Sequence, residues 1–233
     1  STLGMTSWKM ALGISQPMAM PVEWTANYAW LMFVMWWIMM VAMMLPSATP
    51  MILLHSRINR TSGVRSGKAV DITPTGVFAL GYLVVWAIFS VIAVGLQWAF
   101  ESLGILSPMM MNSTNQIFAG SILLFAGLYQ LTPMKQACLR HCRGPIGFLS
   151  RHWRDGTTGA FILGLHHGSY CLGCCWGLMA ILFFGGIMNL YWIIGLALLV
   201  LLEKTLPIGT VLSYLTGGVF ALWGTSFLMA SLN

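Results

Sequence analysis

GVFALGYLVVWAIFSVIAVGLQWAF, residues 76–100, is an apolar run without one charged side chain. A helix needs about 20 mostly apolar residues to cross the hydrocarbon core of a bilayer, so this stretch predicts a membrane-spanning helix. Further apolar runs lie at about 27–49, 116–134, 158–188, 190–206 and 208–230. The whole chain is 58% hydrophobic and 7% charged, with mean hydropathy +0.81, outside the range of soluble domains. The expected fold is all-α: a polytopic bundle of about six transmembrane helices forming one domain over residues 27–233. The polar connections at about 56–74 and 135–157 are too short to bury a core of their own. Residues 1–26 carry tryptophans and methionines among prolines and glycines, and are expected to lie in the membrane interface.

Charge sets the orientation. Arg57, Arg60, Arg65 and Lys68 fall in the first loop, and Lys135, Arg140, Arg143, Arg151 and Arg154 in the third. Basic loops stay cytoplasmic, which places both termini on the non-cytoplasmic side of a bacterial inner membrane crossed in several passes. The net charge of +6 is accounted for by topology, so no nucleic-acid partner is expected. The run at 158–188 is longer than a span requires and rich in glycine, so a kinked, tilted or locally unwound fourth helix is expected.

Inside that fourth run stands His166-His167-Gly168-Ser169-Tyr170-Cys171-Leu172-Gly173-Cys174-Cys175. At helical spacing His167, Cys171 and Cys174 share one stripe with Cys175 beside it, while His166 and Tyr170 look toward a neighbouring sector. A single cysteine in a span is an ordinary small hydrophobe. Three cysteines and two histidines within ten residues are costly in lipid and point to a function. The chain holds five cysteines, an odd number near the cytoplasmic side, which argues for free thiols or metal thiolates rather than a disulfide framework.

Two further groups of soft ligands accompany the cluster. The first span carries Met32, Met35, Met39, Met40, Met43 and Met44, of which Met32, Met35, Met39 and Met43 repeat at helical spacing as a thioether ladder. Pro46 and Pro50 follow and are expected to break the helix. After the third span, Cys138 and Cys142 flank His141 among basic residues, a candidate metal-receiving segment at the cytoplasmic mouth or a loop with incidental thiols. Thiolate and thioether ligands select Cu(I) and accept imidazole beside them. The candidate ligands are therefore Cys171, Cys174, Cys175, His167, His166, Met39, Met43, Met44, Cys138, Cys142 and His141, with copper as the expected metal and zinc as the alternative. Glu203 and Lys204 read as a mutually paired helix end, and 120–131 and 217–228 share a spacing that fits an inverted three-plus-three repeat.

Met40-Val41-Ala42-Met43-Met44-Leu45-Pro46, the Cys138 to Cys142 segment with Trp153-Arg154-Asp155-Gly156, Tyr170-Cys171-Leu172-Gly173-Cys174-Cys175-Trp176, Met188-Asn189 and Glu203-Lys204 together resemble a bacterial family. It is catalogued as predicted metal-binding integral membrane proteins, some members of which are labelled copper chaperone. The resemblance implies a metal-associated membrane role. The leading expectation is Cu(I) handling by chaperoning, delivery or transport, with the bilayer and a client metalloenzyme or partner subunit as partners. A metal- or thiol-dependent membrane oxidoreductase or oxygenase subunit is the alternative, and a structural subunit of a larger complex is the second.

Overall fold

The computed structural model describes residues 23–65, 73–106, 115–154 and 156–231. The segment expected in the interface lies almost wholly outside the described residues, as do Lys68, Asp71 and Asp155. The chain is all-α: α1 (Ala26–Arg65), α2 (Thr73–Ser102), α3 (Gln116–Leu131), α4 (Pro133–Arg143), α5 (Pro145–His152), α6 (Gly156–Ala180), α7 (Leu182–Gly185), α8 (Leu190–Thr205) and α9 (Gly209–Ala230). Among the described residues α1, α2, α6 running into α7, and α9 are each long and apolar enough to cross a membrane. α3 and α4, bent by 64°, pass the same test as a pair. α8 fills the run expected as a fifth span, but its 16 residues reach only about 24 Å.

Local chemistry explains the helix ends. Asn115 caps α3 by accepting from Ile117 N at 2.8 Å. Thr132 turns α3 into α4, its hydroxyl accepting from Lys135 N ahead of a proline in the first turn. Arg143 Nη2 donates to the carbonyls of Leu206 and Pro207, each at 2.7 Å, and so satisfies the C-terminal end of α8. Gly186, at φ +90°, ends α7 where a side chain would be strained.

One expectation about helix breaks is corrected. α1 runs unbroken through Pro46 and Pro50. Each proline removes one backbone hydrogen bond and so frees the carbonyl four residues before it, that of Ala42 and that of Pro46, a loss that a helix packed in apolar surroundings tolerates without breaking. The glycine-rich fourth run stays helical through its cysteines, is interrupted at Ile181 and leaves the helix after Gly185, a local break of the kind its glycines led one to expect.

Glycine lets the helices approach closely. α3 and α9 run antiparallel, Gly120 facing Gly224 and Gly127 facing Gly217 and Ala221; a Cβ on Gly127 would stand 2.5 Å from Ala221 N. These are the two segments whose spacing looked repeated. α2 and α6 run parallel, with Gly81 against Phe161 and Gly164 against Phe78, so that a Cβ on either would collide with backbone. That contact lays the cysteine face of α6 against Tyr82 and the buried methionines of α1 in one apolar core.

Candidate metal centre

The buried face of α1 carries Met32, Trp36, Met40, Met43, Met44, Ala48 and Met51. Met35 and Met39 are only half-buried on its flank, because the helix turns slightly past the spacing on which the ladder was drawn. Opposite stands α6, with His167, Cys171, Cys174 and Cys175 all buried. Every described cysteine is a free thiol.

Five of the candidate ligands come together. Cys142 Sγ, from α4, lies 3.9 Å from Cys174 Sγ. Cys175 Sγ lies 3.8 Å from Met44 Sδ. Cys174 and Cys175 both donate to the carbonyl of Cys171, at 3.1 and 2.9 Å, which places the three α6 sulfurs around one turn of helix. A metal–sulfur bond of about 2.3 Å sets two ligating sulfurs roughly 3.8 to 4.0 Å apart at tetrahedral to trigonal angles. The Cys142–Cys174 separation matches that span.

Polar side chains surround the sulfurs. Lys204 Nζ donates to Cys171 Sγ at 3.0 Å and to Ser47 Oγ at 3.1 Å, supplying positive charge to the thiols. Tyr82 Oη lies 3.2 Å from Cys171 Sγ and 3.3 Å from the Met44 carbonyl. Glu203 does not pair with its neighbour Lys204, as the sequence suggested. It bonds Lys135 Nζ at 2.8 Å in a buried ion pair and accepts from Gln130 Nε2 at 3.0 Å. Successive residues near the end of α8 point to different sectors, so Glu203 meets α4 while Lys204 turns to α1 and α6.

The remaining candidates stand apart from the sulfurs. His167 stacks between Tyr82 and Phe78 with ring centres at 5.8 and 6.1 Å, and its buried Nδ1 has no hydrogen-bond partner among the described residues. His166 is exposed and faces His152 on α5. His141 stacks on Tyr170 at 4.3 Å, its Nδ1 held by the Ala137 carbonyl. Cys138 packs against Gly173. Met43 shares the buried core and Met39 borders it. Ser47, Tyr82 and Lys135 had no sequence signal, since each is a lone polar residue brought in by helix contact.

Among the described residues no group of three or more His, Cys, Asp or Glu side chains is arranged to hold a metal ion. A closed zinc site asks for four such ligands in a tetrahedron, so zinc gains no support. Two thiols in contact with a thioether close by form a softer set, which suits Cu(I). A family model, PpoB2, described as copper chaperone, matches residues 33–227. The search of curated proteins finds no match, and neither does the search of solved structures.

Proposed function

The chain belongs to the copper chaperone family, and from that premise we propose that it is an integral protein of the bacterial inner membrane that binds Cu(I) at an intramembrane sulfur centre and delivers it to a client metalloprotein. The observation that carries this reading is the 3.9 Å approach of Cys142 Sγ to Cys174 Sγ. Two helices distant in sequence meet there through their thiols, with Met44 Sδ and Cys171 within the next layer of contacts.

The chemistry follows from the donors. Thiolate and thioether sulfur hold a soft monovalent ion and discriminate against the harder divalent ones. Lys204 and Tyr82, both in contact with the buried Cys171 Sγ, offset thiolate charge there. Cys142 is the half-exposed member of the set, so it is the thiol at which an incoming ion is met, and the buried α6 cysteines receive it next. His167 stands behind Tyr82 as a nitrogen donor, and the buried Met face of α1 offers thioethers further along the helix.

Elemental mass spectrometry on detergent-purified protein, beside a Cys142→Ser/Cys174→Ser variant, tests the reading. Stoichiometric copper lost in the variant supports it, and a chain that stays free of copper after anaerobic reconstitution with Cu(I) overturns it. A thiol oxidoreductase is the second reading, because the same sulfur approach suits disulfide formation. Turnover of a dithiol without bound copper would favour it.

A further inference from the structure

We propose that His152 and His166 form a separate two-coordinate reception site for Cu(I) at the mouth of the fold, upstream of the sulfur centre. The inference rests on the copper reading above and deepens it by assigning where the ion is first taken and in what form it arrives.

His152 ends α5 and His166 lies on α6, with ring centres 6.0 Å apart and ring planes at 85°. With a metal–nitrogen bond of about 2.0 Å, an ion held between two imidazole nitrogens sets the ring centres roughly 6 Å apart. Both rings line one cavity of about 110 Å³, together with Arg151, Trp153 and Arg154. His152 Nδ1 is 3.0 Å from the Phe148 carbonyl. A carbonyl only accepts, so Nδ1 carries the proton and Nε2 keeps its lone pair, the orientation in which metal-binding histidines are usually fixed. Cu(I), a closed-shell ion, accepts two imidazoles in a line and needs no third ligand.

The surroundings define the donor. Arg151 and Arg154 flank the imidazoles, and an adjoining cavity of about 270 Å³, which shares Arg151 and His152, adds Arg140. Among the described residues none of these arginines forms an ion pair with a carboxylate. Such a field repels a bare cation and attracts an anion. The matching substrate is Cu(I) carried as an anionic complex with a small thiol that also bears carboxylates. The transfer is a ligand exchange: two copper–sulfur bonds break, two copper–nitrogen bonds form, the thiolates leave with their electron pairs, and copper remains Cu(I).

One aromatic side chain separates this site from the interior. Phe148 stacks on His152 at 4.9 Å and touches His167 at 5.7 Å and Tyr170 at 5.9 Å. His167, whose Nδ1 is unpartnered among the described residues, stacks in turn on Tyr82, and Tyr82 Oη contacts Cys171 Sγ.

The test uses the full chain in detergent, Cu(I) supplied as its glutathione complex, and the variants His152→Ala/His166→Ala and Ser150→Ala. The double variant is expected to reach the wild-type copper content at least about tenfold more slowly, and to lose the nitrogen scattering at about 2.0 Å that X-ray absorption detects at the second copper equivalent of wild type. Ser150→Ala, at an exposed position of α5 outside both cavities, is expected to load like wild type. Equal loading rates with unchanged nitrogen scattering overturn the inference while leaving the sulfur centre standing. A wild type that takes up no copper overturns both. His166→Ala alone, at an exposed position, repeats the comparison where the double variant fails to fold.

Discussion

Cys142 Sγ and Cys174 Sγ stand 3.9 Å apart although 32 residues separate them in the chain. The bend at Thr132, the turn at Gly144 and the return along α6 bring the end of α4 back against the middle of the cysteine helix. The two thiols are therefore expected to act as one site. Serine at either position weakens Cu(I) binding by about 10- to 100-fold, whereas Cys138→Ser, which removes a sulfur packed on Gly173, has a much smaller effect. Competition against a chromophoric Cu(I) chelator measures all three.

The same pair predicts a redox behaviour. Treatment of the copper-free protein with diamide links Cys142 to Cys174, oxidising two thiols to a disulfide and reducing the diazene to a hydrazine. Bound Cu(I) blocks the reaction by occupying the sulfurs. Peptide mapping by mass spectrometry reads both arms, and a disulfide that forms equally fast with copper bound counts against the shared site.

Among the described residues, Met44 is the methionine whose sulfur reaches a cysteine, at 3.8 Å from Cys175 Sγ. Met44→Leu keeps the volume and removes the thioether, so Cu(I) affinity is expected to drop about 3- to 10-fold. Met39→Leu, on the half-buried flank, leaves it unchanged. The same chelator competition separates the two.

The Lys135–Glu203 pair is buried on both sides. Glu203→Gln leaves an ammonium without its counter-charge, and loss of one partner in a buried pair costs about 3–5 kcal/mol. Thermal unfolding in detergent should show a large drop for Glu203→Gln and substantial recovery in Lys135→Met/Glu203→Leu.

Backbone contact between α3 and α9 sets a steric prediction. Gly127→Ala places a methyl 2.5 Å from Ala221 N and forces the helices apart, at a cost of about 1–3 kcal/mol. Gly218→Ala, with open space around it, is neutral or gains up to about 1 kcal/mol from helix propensity. Thermal melts of the two variants make the comparison.

Hydropathy carried the helical fold because lipid leaves a chain few alternatives: the run at 76–100 lies within α2, and all five other runs are helical over most of their length. The stripe of His167, Cys171 and Cys174 was legible for the same reason, since helical period alone puts them on one face. What lay beyond reach was any relation between helices. Nothing in the spacing of Cys138, His141 and Cys142 indicates that only Cys142 reaches Cys174, nor that Glu203 turns to Lys135 while Lys204 turns to Cys171. The ladder was only partly right because helical spacing fixes which methionines share a face but not which face meets the bundle: Met32 and Met43 are buried together with Met40 and Met44, while Met35 and Met39 lie on the flank. Pro46 and Pro50 misled because a proline breaks helices in water more readily than in a bundle whose neighbours hold it in place.

The unbroken α1 has 40 residues and so extends about 60 Å, roughly twice the depth of a hydrocarbon core of about 30 Å. The turns of α1 that carry Arg57 and Arg60 do not stand alone: Ile52, Leu54 and Ile58 pack into one cluster with Phe148 and Leu149 of α5, and His55 stacks on Trp153. Pro46 and Pro50 stand on the same helix beside Met44 and Ser47, which touch Cys175 and Lys204. The added length of α1 is thus a bracket: it ties the turn that holds Met44 and Ser47 to α5, the short helix that ends in His152.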